Sequence, residues 1–138
     1  MLAGAGLSWK SAQQKSVATS TTEAEFVSAS KASDEILWLH RVLADAGSPQ
    51  TTTPLYEDNR ACRLLSENPV QPRARHIDLR VMSLRERVKA GTVRVIDCPT
   101  THMAADPLTK NLPVAAFTTH RSTQLGTSPH NIVPPSRA

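Results

Sequence analysis

Ala29, Ala32, Ile36, Leu39 and Leu43 recur at steps of three, four, three and four, and no other feature of the chain limits its fold as tightly. That spacing puts all five on one line along an α-helix. Gly47 and Pro49 follow. Glycine ends helices by taking a left-handed cap, and proline by lacking an amide donor. The pattern predicts a helix from about residue 21 to 46 with one apolar face, which needs a partner to cover it.

The partners come from short strands and two more helices. LSWKS (7–11) reads as a strand, followed by a polar turn. Pro49 and Pro54 bracket a threonine-rich linker, and PLYED (54–58) is a second strand. RACRLLSEN (60–68) is a short helix closed by Asn68-Pro69. A third helix runs from Arg73 to Ala90, with Ile77, Val81, Leu84 and Val88 as its stripe and Gly91 as its cap. TVRVIDC (92–98) has strand composition and stops at Pro99. THMAADPLTK then forms a short helical turn, and from about Thr119 the chain becomes polar and reads as a disordered tail. Strands alternating with helices predict an α/β domain. Its expected parts are a residual segment 1–6, a domain 7–118 and a tail 119–138. Trp9 and Trp38 are expected in the core, and His102 and His120 at the surface.

Charge is uneven along this chain. Residues 60–94 hold nine arginines or lysines against Glu67, Asp78 and Glu86, a local excess of six positive charges in a chain of net +4. A basic middle on a nearly neutral body points to a polyanion partner. Cys62 and Cys98 stand far apart without metal-ligand spacing, which favours reduced thiols over a disulfide or zinc framework. ILWL (36–39) is too short to span a bilayer, and MLAGAG lacks the features of a signal peptide. The expected location is intracellular, cytoplasmic or nuclear, and not secreted.

Two glutamates stand two positions apart in STTEAEF (20–26). At about 100° per residue, the apolar line lies within about 40° of Glu25, whereas Glu23 falls roughly 160° away. Glu25 therefore continues the apolar stripe, and Glu23 is an ordinary first-turn acid that suits the helix dipole. A carboxylate on a buried line needs a partner. Either the helix end frays and Glu25 reaches water, or Glu25 belongs to a cation site at the mouth of a sheet. Ser20, Thr21 and Thr22 offer hydroxyls there for a phosphate or a ribose. Asp58 ends the YED strand, where acids in α/β folds point into ligand crevices. Asp106 follows the last strand. Three separate acids at element boundaries have the composition of a site for hard divalent ions.

LSWKS, STTEAEF, LYEDNRAC, RHIDLR and ADPLTK, in that order, resemble the ribonuclease H domain that ends Pol in copia-type retrotransposons. The resemblance covers Leu7 to Gly126. It implies a ribonuclease H-like fold, a mixed sheet flanked by helices, and hydrolysis of RNA in RNA–DNA hybrids by two-metal chemistry. By motif, Glu25, Asp58 and Asp106 become catalytic metal ligands for Mg²⁺, or Mn²⁺ in its place. Ser20, Thr21, Thr22 and Asn59 become contacts to the RNA backbone and 2′-hydroxyls. Arg73, Arg75 and Arg80 belong to a basic series, continued by Arg85, Arg87 and Lys89, that meets phosphates in part. His76 and Asp78 cap and pack the third helix, or serve as auxiliary groups near the metals.

The family's first aspartate lies on a strand upstream of SWKS, and no substitute for it is evident. The expectation is a truncated domain lacking its first two strands, weak or inactive alone, with an exposed sheet edge. Its expected partners are an RNA–DNA hybrid or other nucleic acid, and upstream reverse transcriptase sequence. The alternative is a non-catalytic nucleic-acid-binding module or an assembly fragment.

Overall fold

In a computed structural model, residues 5–12, 21–62 and 78–127 are described, with only the backbone for 78–81. They fall into two units, Ser16–Asp97 and the combination of Met1–Lys15 with Cys98–Ala138.

The first unit is a strand–helix–strand arrangement preceded by a long helix. Helix α1 spans Thr21–Asp45, strand β1 Thr53–Glu57, helix α2 Asp78–Lys89 and strand β2 Val93–Asp97. The strands pair in parallel, from Thr53 opposite Val93 to Glu57 opposite Asp97. Both helices end the same way. Gly47 and Gly91 take φ of 78° and 74°. Beyond them Ser48 N–H reaches Leu43 O at 2.8 Å and Thr92 N–H reaches Arg87 O at 3.0 Å, the six-to-one bond of a left-handed helix cap.

The core of this unit is small. Phe26, Ala29, Cys62 and Leu84 form it, with Leu55 and Val88 packed against them. Burying Phe26 and Leu84 stabilises the unit by roughly 2–3 kcal/mol each. In β2, Val93 and Val95 are buried while Arg94 between them is exposed, the alternation of a strand with one covered face. Polar ties complete the joints. The Arg87 guanidinium reaches from α2 to Asp34 at 2.6 Å and Ser33 Oγ at 2.5 Å on α1. His40 Nε2 meets Thr53 Oγ1 at 2.7 Å, linking α1 to β1.

The apolar line read from the sequence is present but is not the innermost one. Ala29 is buried, while Ala32, Ile36, Leu39 and Leu43 are half-buried. The sealed face of α1 is Phe26, Ala29, Ser30 and Ser33. Small residues there let α2 come close, and Arg87 fastens it. Glu25 accordingly turns to solvent. Trp38, expected inside, is 56% exposed, because α2 packs along a different side of α1.

In the second unit, helix α3 spans Val114–Gln124 after Pro113, beyond short 3-10 turns at Thr100–His102 and Asp106–Leu108. Gly6 N–H donates to Gln124 O at 2.7 Å, Ser11 Oγ to Leu108 O at 2.8 Å and Gln124 Nε2 to Ala104 O at 2.6 Å. The segment 7–11, expected as a strand, has no strand partner among the described residues, and Trp9 is 74% exposed. The Ser11–Leu108 hydrogen bond ties it down in place of a ladder. The chain also stays helical past Thr119, where a disordered tail was expected, and buries His120 against the expectation of a surface position. Residues 128–138 lie outside the described part, as does the expected short helix beyond residue 62. Among the described residues no helix is long and apolar enough to cross a membrane.

Candidate functional site

The C-terminal end of β1 gathers the chemistry of the first unit. Side chains alternate along a strand, so the side that takes Leu55 toward the helices also takes Glu57. Glu57 is 6% exposed. Its Oε1 accepts the Asn59 amide at 3.0 Å. Asn59 Oδ1 in turn accepts the amides of Ala61 and Cys62 at 3.0 and 3.2 Å, capping the helical residues 60–62. The Cys62 thiol donates back to the Glu57 carboxylate. Burial raises the Glu57 carboxyl above its ordinary range. The Asn59 amide and Cys62 thiol oppose that, while the charges of Glu25 and Asp58 add to it. Burial also pushes the Cys62 thiol far up, helped by the charge of Glu57, its hydrogen bond and the charge of Glu25. That thiol is held as S–H and is a poor nucleophile. The parallel register sets Asp97 opposite Glu57, so both strands end in an acid.

Glu25 and Asp58, chosen from separate motifs, thus lie within electrostatic reach of one buried carboxylate. Glu25 is exposed on α1, and Asp58 is half-buried in the bend after β1. Asp106 belongs to the other unit. It is buried, with Lys110 Nζ at 2.8 Å from its Oδ1, and its own backbone carbonyl accepts the amides of Thr109 and Lys110. Among the described residues, no group of three or more His, Cys, Asp or Glu side chains stands together closely enough to hold a metal ion. The carboxylates as they stand therefore do not fit a bound divalent cation.

The expected nucleic-acid contacts divide in the same way. Thr21 and Thr22 open α1, exposed and half-buried respectively. The Asn59 side-chain oxygen is engaged by its own backbone. Asp78 and Arg80 lie on α2, their side chains outside the described part. Ser20, Arg73, Arg75 and His76 lie outside it altogether. Arg87, from the basic series, is spent on α1.

Glu57 and Cys62 lie within LYEDNRAC but are not among the site residues read from the sequence. The period-two rule, applied from Leu55, points to Glu57. Cys62 follows from Asn59 as a helix cap, which places the thiol in the first turn beside the strand exit.

Three curated proteins are similar over most of the chain. The retrovirus-related Pol polyprotein from transposon TNT 1-94 of Nicotiana tabacum is 38% identical over 115 residues, 83% of this chain and 9% of that protein. Those from transposons RE1 and RE2 of Arabidopsis thaliana are each 38% identical over 113 residues, 80% of this chain and 8% of theirs. The chain thus spans less than a tenth of the length of these relatives. No family model matches the chain, and no solved structure matches it.

Proposed function

This chain is a retrotransposon Pol-region sequence, homologous to one short stretch of the retrovirus-related Pol polyproteins of plant transposons, and we propose that it is a ribonuclease H-like domain acting on RNA–DNA hybrids. The observation that carries the proposal is that Glu25 and Asp58 both lie within electrostatic reach of the buried Glu57. Motifs alone had paired those two acids, one in the first turns of a helix and one at a strand exit. Thr21 and Thr22, at the start of the same helix, supply hydroxyls of the kind that contact RNA ribose and phosphate.

Glu25, Asp58 and Asp106 are the chain's share of the catalytic carboxylates in this proposal. The resemblance implies one further aspartate, on a strand upstream of SWKS in the family. Mg²⁺ dependence enters this proposal only as what the resemblance implies, and the cleavage assay tests it directly. Cleavage by the chain alone is therefore expected to be slow, and to rise when a family-like upstream strand with its aspartate is joined to it.

The test is a labelled RNA–DNA hybrid incubated with the purified chain in Mg²⁺, beside Glu25→Gln and Asp58→Asn. Product that disappears in both folded variants supports the assignment. Salt-sensitive binding of the hybrid that persists through both changes, with no product from any form, would assign a non-catalytic binding module instead.

A further inference from the structure

The bend that carries Asp58 is held by its neighbours. Glu57 takes the Asn59 amide, Asn59 takes the amides of Ala61 and Cys62, and the Cys62 thiol closes the circuit on Glu57. Two of these side chains are almost sealed, Glu57 at 6% and Cys62 at 1% exposure. A carboxyl group in a small core is costly to bury, and an apolar side chain of similar size would pack there with less penalty. The circuit does what an apolar side chain cannot. It fixes the backbone on both sides of Asp58, at residue 57 and at residues 59–62.

We propose that Glu57, Asn59 and Cys62 are positioning residues that hold the Asp58 carboxylate in a set place relative to Glu25. The proposal rests on the assignment of Asp58 as a site carboxylate. It also reassigns Asn59, whose side-chain oxygen serves the bend and acts on a hybrid only through Asp58.

Glu57→Ala, Glu57→Gln, Asn59→Ala and Asp58→Asn in the full chain test it, by amide hydrogen exchange and by the kinetics of Mg²⁺-dependent hybrid cleavage. Glu57→Ala should speed exchange at the Asn59 amide roughly tenfold, and Asn59→Ala should do so at Ala61 and Cys62. Both should lower kcat about 10- to 100-fold with KM within about twofold, the signature of a misplaced catalytic group. Glu57→Gln keeps an acceptor oxygen and should stay within about threefold of the parent.

A folded Glu57→Ala or Asn59→Ala chain with the parent's kcat, beside an Asp58→Asn chain that has lost cleavage, overturns the positioning role alone. Equal damage from Glu57→Gln and Glu57→Ala also overturns it, since the charge rather than the acceptor geometry would then matter. If Asp58→Asn matches a parent that cleaves, the assignment of Asp58 falls and the positioning role falls with it. Where the chain alone does not cleave, the same variants are compared in the chain joined to a family-like upstream strand with its aspartate. Absence of cleavage there has the same consequence. Should Glu57→Ala fail to fold, Asn59→Ala at its half-buried position decides by the same readouts.

Discussion

Glu57 sets the pH behaviour of the first unit. Its carboxyl is raised in the folded state, chiefly by burial, so the folded chain holds that proton more tightly than the unfolded chain does. The stabilising contribution is present in full below the ordinary glutamate range and is lost as pH rises through the raised folded value. Glu57→Gln, which cannot ionise, is therefore expected to be more stable than the parent at neutral pH. The difference should shrink as pH falls toward 4.5. Urea unfolding at several pH values checks this, and a constant difference would contradict it. The sequence pointed to this corner but not to its centre. Motifs and strand ends selected Glu25 and Asp58 because acids at element boundaries are visible in a linear string. Glu57 reads there as one more polar residue near a turn, and its burial follows only once Leu55 is known to face the helices.

At the scale of elements, the packing of α2 on α1 makes Arg87 a brace. Arg87→Ala is expected to cost about 1 kcal/mol, since most of the ion pair involves the largely exposed Asp34. Hybrid affinity should stay unchanged, as the guanidinium is already occupied; a loss of affinity larger than the loss of stability would contradict the brace. Gly91→Ala tests the helix end. A methyl group there meets no atom within 4 Å, but φ is +74°, so the expected cost is backbone strain alone, about 1 kcal/mol in a urea melt. The extent of α1, the two glycine caps at Gly47 and Gly91 and the positions of both strands were legible, because periodicity and cap residues are local signals, whereas the helix Val114–Gln124 was not. The inner face of α1 was not. Ile36, Leu39 and Leu43 carry the large apolar surface, yet Ser30 and Ser33 are the sealed positions and Ser33 takes the Arg87 hydrogen bond, and small residues leave no mark in a hydrophobic pattern. Residues 7–11 show the same limit: strand composition does not supply a strand partner.

On the scale of the whole molecule, the Pol-region relationship and the proposed catalytic acids come from the same ordered motifs. The order of five motifs made the relationship legible, and 38% identity over most of the chain agrees with it. Adding the upstream strand and its aspartate is expected to raise Mg²⁺-dependent cleavage at least about tenfold, the low end of what positioned catalytic groups contribute. An unchanged rate in the extended, folded protein would count against a role for that aspartate.

The most direct measurement is cleavage of an end-labelled RNA–DNA hybrid by that extended protein, with Glu25→Gln and Asp58→Asn as paired variants of unchanged melting temperature. Mg²⁺-dependent cutting of the RNA strand is expected, falling by at least about 100-fold in each variant. Equal cutting by the parent and either variant would contradict it.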